Sequence, residues 1–89
     1  MILQKKIVVT GHVQGVGFRY AVKQRADAFG LTGFVENKSD GSVEIVVCGS
    51  KDAVQEFIDW AKIGPSSARV RRVSVVEADA AAVKGFEIR

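Results

Sequence analysis

The hydrophobic period of this 89-residue chain switches repeatedly between two and 3.6. In residues 3–13, Ile7 and Val9 share one face and Val8 and Thr10 the other, which is a half-buried strand broken near its end by Gly11. Residues 19–29 change to helical spacing, with Val22, Ala26 and Phe29 at i, i+4 and i+7. Gly30 followed by Leu31 is a helix stop with its apolar partner. Residues 32–38 and 42–48 flank Ser39-Asp40-Gly41, which is hairpin turn chemistry. Ser50 is placed to cap a second helix over 51–62, whose stripe is Val54, Phe57, Ile58 and Ala61. Gly64-Pro65 ends it. Residues 68–77 return to strand period, with a phase slip between Val70 and Val73 that predicts a bulge at Arg71-Arg72. Residues 85–89 form a short last strand around Phe86 and Ile88.

The order is β-α-β-β-α-β plus a short C-terminal strand. This is the split βαβ, ferredoxin-like α+β arrangement. Right-handed crossovers put both helices on one face of a mostly antiparallel sheet. Fold alone assigns no function, because this fold hosts many. The length allows one domain, expected over 1–89. Val and Ile supply 21 of the 42 apolar residues, which suits a sheet-built core.

Composition removes several classes of function. One cysteine, Cys48, excludes a disulfide scaffold and a multi-cysteine zinc site. One histidine, His12, excludes a two-histidine metal site. No metal and no cofactor are expected. No segment approaches the ~18 apolar residues of a membrane span. The start of the chain is not expected to be a secretory signal, because its charges follow its apolar residues. The expected compartment is the cytoplasm, and the expected state a monomer with no membrane partner. The net charge of +3 is spread evenly, +2 over residues 1–45 and +1 over the rest. A nucleic-acid protein usually concentrates its bases. The one basic cluster, Arg69, Arg71 and Arg72, reads as a solvated strand face or, alternatively, as an anion or partner patch.

The stretch that carries chemistry is Gly11-His12-Val13-Gln14-Gly15-Val16-Gly17-Phe18-Arg19, between a strand and a helix. Gly15 and Gly17 let the backbone turn successive N–H groups inward, which makes an anion nest. The helix adds its positive N-terminal end. Arg19 adds a planar fork of donors matched to phosphate oxygens. Residues 14–19 (Gln14, Gly15, Val16, Gly17, Phe18 and Arg19) are therefore the candidate phosphate-binding segment. Read alone, it is either a phosphate-sized anion site or a tight strand–helix turn with a solvated arginine. It is neither a Walker loop, lacking Gly-Lys-Ser/Thr, nor a dinucleotide fingerprint, lacking a third glycine.

With these residues in view, the chain resembles the acylphosphatase family. The segment Gly11-x-Val13-Gln14-Gly15-Val16-Gly17-Phe18-Arg19 is similar to the family's first motif. A second similar segment is Gly33-Phe34-Val35-Glu36-Asn37-Lys38-Ser39-Asp40-Gly41-Ser42-Val43-Glu44, and a weaker third runs from Gly64 to Val70. The tail Gly85-Phe86-Glu87-Ile88-Arg89 fits as well. The resemblance implies a ferredoxin-like hydrolase that cleaves the carboxyl–phosphate bond of acyl phosphates. It implies that Arg19 binds the phosphate and that Asn37 positions the attacking water. Inorganic phosphate and sulfate are then expected to compete with substrate. The sequence departs from the family at His12, where many members carry Arg, at Phe34, where Trp or Tyr is usual, and at Glu36, where a base is common. None of these removes a catalytic group.

The chemistry is consistent with the residue types. Asn37 cannot act as a base near neutral pH, but its amide can hold a water in line with phosphorus. A carboxylate leaves without an acid, so positioning and charge stabilisation carry the reaction. Cys48 lies in a β-branched run with no basic neighbour and is expected to be a buried, inert thiol. His12 is expected to be a polar strand-end residue, with tuning of substrate charge as the alternative. Ser66 and Ser67 have no oriented base, which argues against a serine hydrolase. Trp60 is expected to pack on the second helix. Two other readings remain open. One is a non-catalytic anion-binding module of the kind found inside larger proteins, which the chain's length argues against. The other is an RNA binder of the same topology, which would place stacking aromatics on strands 3–13 and 42–48, where there are none.

Overall fold

The computed structural model describes residues 1–78 and 84–89. The elements are β1 (Ile2–His12), α1 (Phe18–Ala28), β2 (Thr32–Asn37), β3 (Val43–Ser50), α2 (Lys51–Ala61), β4 (Arg69–Glu77) and β5 (Phe86–Ile88). The sheet order is β4-β1-β3-β2-β5. All pairs are antiparallel except β2 with β5, which is parallel. The ferredoxin-like arrangement expected from the period switches is the one observed. Boundaries move by one or two residues. The largest change is β3, which runs on to Ser50 because Ile2 and Leu3 of β1 pair with Ser50 and Gly49.

One face of the sheet is buried under the helices. Ile7, Val9, Val35, Val43, Ile45 and Val47 project from it onto Phe18, Val22 and Ala26 of α1 and Val54, Phe57, Ile58 and Ala61 of α2. Full burial of one such Val, Ile or Phe contributes roughly 1.5–3 kcal/mol. Trp60 is half-buried at the helix–helix seam, 6.3 Å from Phe18 and 5.8 Å from Phe57 between ring centroids. Helix α1 ends where Gly30 and Leu31 donate to the Asp27 and Ala26 carbonyls, the double bond pattern of a left-handed glycine stop. Helix α2 starts with the Ala53 N–H donating to Ser50 Oγ at 3.2 Å.

The opposite face is open and charged. Glu44 lies between Lys6 and Lys38, each at 3.3 Å, and Lys38 also reaches Glu36 at 3.5 Å. Cys48 sits on this face and is half-buried, not buried as expected. The strand's alternation decides this. Val47 takes the helix side and Cys48 the other, a distinction that a β-branched run hides. The predicted bulge is present. Thr10 pairs with Arg72 and Gly11 with Val70, which leaves Arg71 as the extra residue of β4.

Candidate active site

The site lies at the end of the sheet where β1 passes into α1 and β2 into β3. Gly15 and Gly17 adopt φ of 74° and 77°. Two left-handed residues one apart reverse the chain without steric conflict. Gly17 is the N-cap of α1, and no side chain caps the helix. The first intrahelical bond is donated by Ala21, to the Gly17 carbonyl at 3.1 Å. The N–H groups of Phe18, Arg19 and Tyr20 therefore have no partner within the helix. No acidic residue lies in its first turn. Helix α2, by contrast, has both the Ser50 cap and Asp52. Among the described residues, only α1 offers an uncapped positive end.

Three non-local tethers hold this loop. The Gln14 amide nitrogen donates to the main-chain oxygens of Lys38 and Ser42, each at 2.8 Å. This fixes the loop to the β2–β3 hairpin. Ser67 Oγ donates to the Val16 carbonyl at 2.8 Å. Arg19 Nη1 donates to the Arg89 main-chain oxygen at 2.8 Å, and the Arg89 N–H donates to the Val35 carbonyl at 2.8 Å. The Arg89 guanidinium lies over the Phe34 ring, 4.0 Å from its centroid. The hairpin is itself braced. Asp40 Oδ1 accepts from the Ser42 hydroxyl at 2.6 Å and the Ser42 N–H at 2.9 Å. These bonds, the hydroxyl's first, hold the Asp40 carboxyl below its ordinary range.

A cavity of about 200 Å³ lies against the loop. Gly15, Gly17, Phe18, Arg19 and Asn37 all border it, with Val13, Tyr20 and Ile88 completing the wall. Asn37 is the last residue of β2, and its Oδ1 is buried with no hydrogen-bond partner among the described residues. A buried acceptor without a partner is uncommon and costs about 1–3 kcal/mol unless a ligand or water meets it. Most of the candidate residues thus converge on one cavity. Gln14 and Val16 do not border it: the Gln14 side chain braces the hairpin, and Val16 is half-buried against the core. The Phe18 side chain is in the core, so only its main chain is available to a ligand. Sequence reading missed the roles of Tyr20, Ser67, Ile88 and Arg89. Ser67 lay within the weak third motif. Ile88 and Arg89 lay within the tail segment that fits the family, and Tyr20 had no signal of its own; no local pattern pairs Arg19 with Arg89, whose contact spans 70 residues.

Fold and site together define a small ferredoxin-like α+β domain with a glycine-rich, arginine-lined pocket at one end of its sheet. The family model for acylphosphatases matches residues 5–88. An acylphosphatase of Trichormus variabilis is 42% identical over 88 residues, covering 99% of this chain and 87% of that protein. The crystal structure of the Bacillus subtilis acylphosphatase is similar at a TM-score of 0.92 and 41% identity, over 100% of this chain and 99% of that one. Full-length HypF, crystallised in a phosphate- and nucleotide-bound form, is similar at a TM-score of 0.91 and 33% identity; all of this chain is matched, but only 12% of that one. The chain belongs to the acylphosphatase family.

Proposed function

We propose that this protein hydrolyses acyl phosphates to a carboxylate and inorganic phosphate, with Arg19 and Asn37 in separate roles. The observation that carries the reading is the meeting of Arg19 and the unpartnered Asn37 Oδ1 on one cavity beside an uncapped helix start. The phosphoryl oxygens accept from N–H groups of residues 14–19 and from the free donors of Arg19. The Arg89 main-chain oxygen fixes the guanidinium plane by holding Nη1. Asn37 Oδ1 accepts one O–H of a water, which leaves the water's lone pair free to face phosphorus. That lone pair forms the new P–O bond as the bond from phosphorus to the carboxyl oxygen breaks. The bonding electrons leave with the carboxylate, and the water's proton passes to a phosphoryl oxygen. No side chain has to donate or take a proton. The site's work is positioning and stabilisation of charge on the transferred group.

In the same reading the chain is one domain over 1–89 and acts in the cytoplasm as a monomer on small-molecule substrates, without nucleic acid. The lack of aromatic residues on the central strands β1 and β3 supports the last point. No helix of the described residues is long and apolar enough to cross a membrane. The test is release of phosphate from benzoyl phosphate by the purified protein. The expected result is hydrolysis well above the buffer rate, inhibited competitively by inorganic phosphate. Phosphate binding by a folded protein that leaves benzoyl phosphate intact would instead favour a non-catalytic anion-binding module.

A further inference from the structure

The sequence contains two features that the hydrolytic site does not use, His12 and the arginine cluster of β4. They meet in a second and larger cavity. This cleft, of about 490 Å³, lies between the end of β1, the start of β4 and the tip of the β2–β3 hairpin. His12, Arg69 and Arg71 line it together with Thr10, Asp40 and Ser42. It shares no lining residue with the cavity of Arg19 and Asn37. The Gln14 side chain runs from the catalytic loop to the Ser42 carbonyl, so the hairpin tip is common ground between the two.

Three observations give the cleft its chemistry. His12 and Arg69 are partners across β1 and β4, which puts their side chains on the same face of the sheet, and both line the cleft. Arg69 and Arg71 flank Val70, which packs on the core, so strand alternation turns both arginines to the other face, where they border the cleft beside the bulge at Arg71. Neither arginine forms an ion pair among the described residues, whereas Lys5, Lys6, Lys23, Lys38 and Arg89 all do. The one acid in the lining, Asp40, is engaged by both the hydroxyl and the N–H of Ser42. The Thr10 hydroxyl donates to the Arg72 carbonyl at 3.5 Å. What remains is two planar donor forks without an ion pair among the described residues, and an imidazole, around an open space with the Asp40 carboxylate on its hairpin side. We propose that this cleft is a second anion-binding site, separate from the hydrolytic one, for a small ligand bearing several phosphate-type oxyanions. Guanidinium forks match such oxygens bidentately. The volume exceeds what one phosphate needs, which favours a polyanion.

The experiment is a titration of the full chain with inorganic tripolyphosphate, followed by backbone amide shifts. Two groups of amides are expected to move, with separate midpoints: residues 15–19, and residues 10–12 with 69–71. In the double variant Arg69→Gln/Arg71→Gln, the second group should bind about tenfold more weakly or not at all. The first group should keep its wild-type midpoint, which also shows that the variant is folded. In Arg19→Ala the pattern should reverse. Cleft amides that stay still, or that follow the 15–19 midpoint and vanish with Arg19→Ala, would overturn the proposal. So would cleft shifts produced by a single-stranded oligonucleotide but not by tripolyphosphate. Failure of acyl phosphate hydrolysis would not touch it, because none of the cleft residues carries a step of that reaction.

Discussion

The separation of roles between Asn37 and Arg19 is tested most sharply by Asn37→Ala. The side chain ends in a buried oxygen that no described residue meets. The adjoining turn is held without it. The Lys38 N–H donates to the Ser42 carbonyl at 2.8 Å, the Gly41 N–H to the Lys38 carbonyl at 3.1 Å, and Ser42 to Asp40. Truncation therefore removes no structural hydrogen bond of the turn. It also removes a buried acceptor whose desolvation costs about 1–3 kcal/mol when unmet, against a few lost van der Waals contacts. In a domain of this size 1 kcal/mol moves the melting midpoint by roughly 4–8 °C. The expected midpoint is within about 4 °C of wild type, or above it. Activity should respond in the opposite direction. Losing a positioned nucleophile costs on the order of 10²-fold in kcat, or roughly 3 kcal/mol of barrier. Phosphate affinity should be almost unchanged, because Asn37 is assigned to water. Asn37→Asp keeps the shape but sets a negative charge beside a dianionic substrate, so it should also be slow. The assays are benzoyl phosphate kinetics, phosphate inhibition and thermal melts with and without phosphate. A folded Asn37→Ala that binds phosphate and turns over at the wild-type rate would return Asn37 to the status of a strand-end residue.

Arg19→Ala should weaken phosphate inhibition and lower kcat together, since the charge it stabilises persists into the transition state; equal phosphate affinity in mutant and wild type would place the anion elsewhere. Gln14→Ala deletes both 2.8 Å bonds from the loop to the hairpin and should cost about 1–3 kcal/mol of stability, seen as a fall of at least ~4 °C in the melting midpoint with a raised KM. Gly33→Ala should be the most damaging single methyl: Gly33 lies at φ 138°, and a Cβ there would overlap the Val46 carbonyl oxygen of the neighbouring strand. Overpacking and backbone strain together cost roughly 2–5 kcal/mol, so a melt near wild type would refute the close approach. Exhaustive chelation should leave turnover unchanged, because among the described residues no three His, Cys, Asp or Glu side chains come together; activity restored by one particular divalent ion would refute this.

The fold was legible because its local and global signals agree. The Ser50 cap, the Gly30-Leu31 stop and the bulge at Arg71 were each readable within a few residues, and each is present. Helix and strand periods did the rest, since nearly every buried side chain belongs to one of three stripes. The exposure of Cys48 was not legible from a run in which both neighbouring faces are apolar. The candidate phosphate-binding loop was legible as a motif for a different reason. Its glycines and arginine are adjacent in sequence, so the motif is itself the geometry. Asn37 is the harder case. Its residue type and position beside a turn describe many solvated asparagines, and only the family resemblance singled it out.

What no local pattern carried is the tethering. Gln14, Ser67 and Arg89 reach the site across 24 to 28, 51 and 70 residues respectively. Every one of these tethers ends on a main-chain oxygen. A side chain that must find a carbonyl puts no demand on the residue type at the other end, so the pairing leaves no complementary mark in the sequence. The same choice suits the chemistry. Main-chain acceptors do not titrate, and their positions are set by the sheet and not by rotamers. A reaction that needs an in-line water and a fixed guanidinium, but no proton donor, depends on rigidity more than on acidity. Fastening the loop to the hairpin, to the α2–β4 connection and to the residue after β5 supplies that rigidity from three directions. It also leaves Asn37 Oδ1 as a buried side-chain acceptor at the cavity that no described residue satisfies, which is the place the proposed mechanism gives to the attacking water.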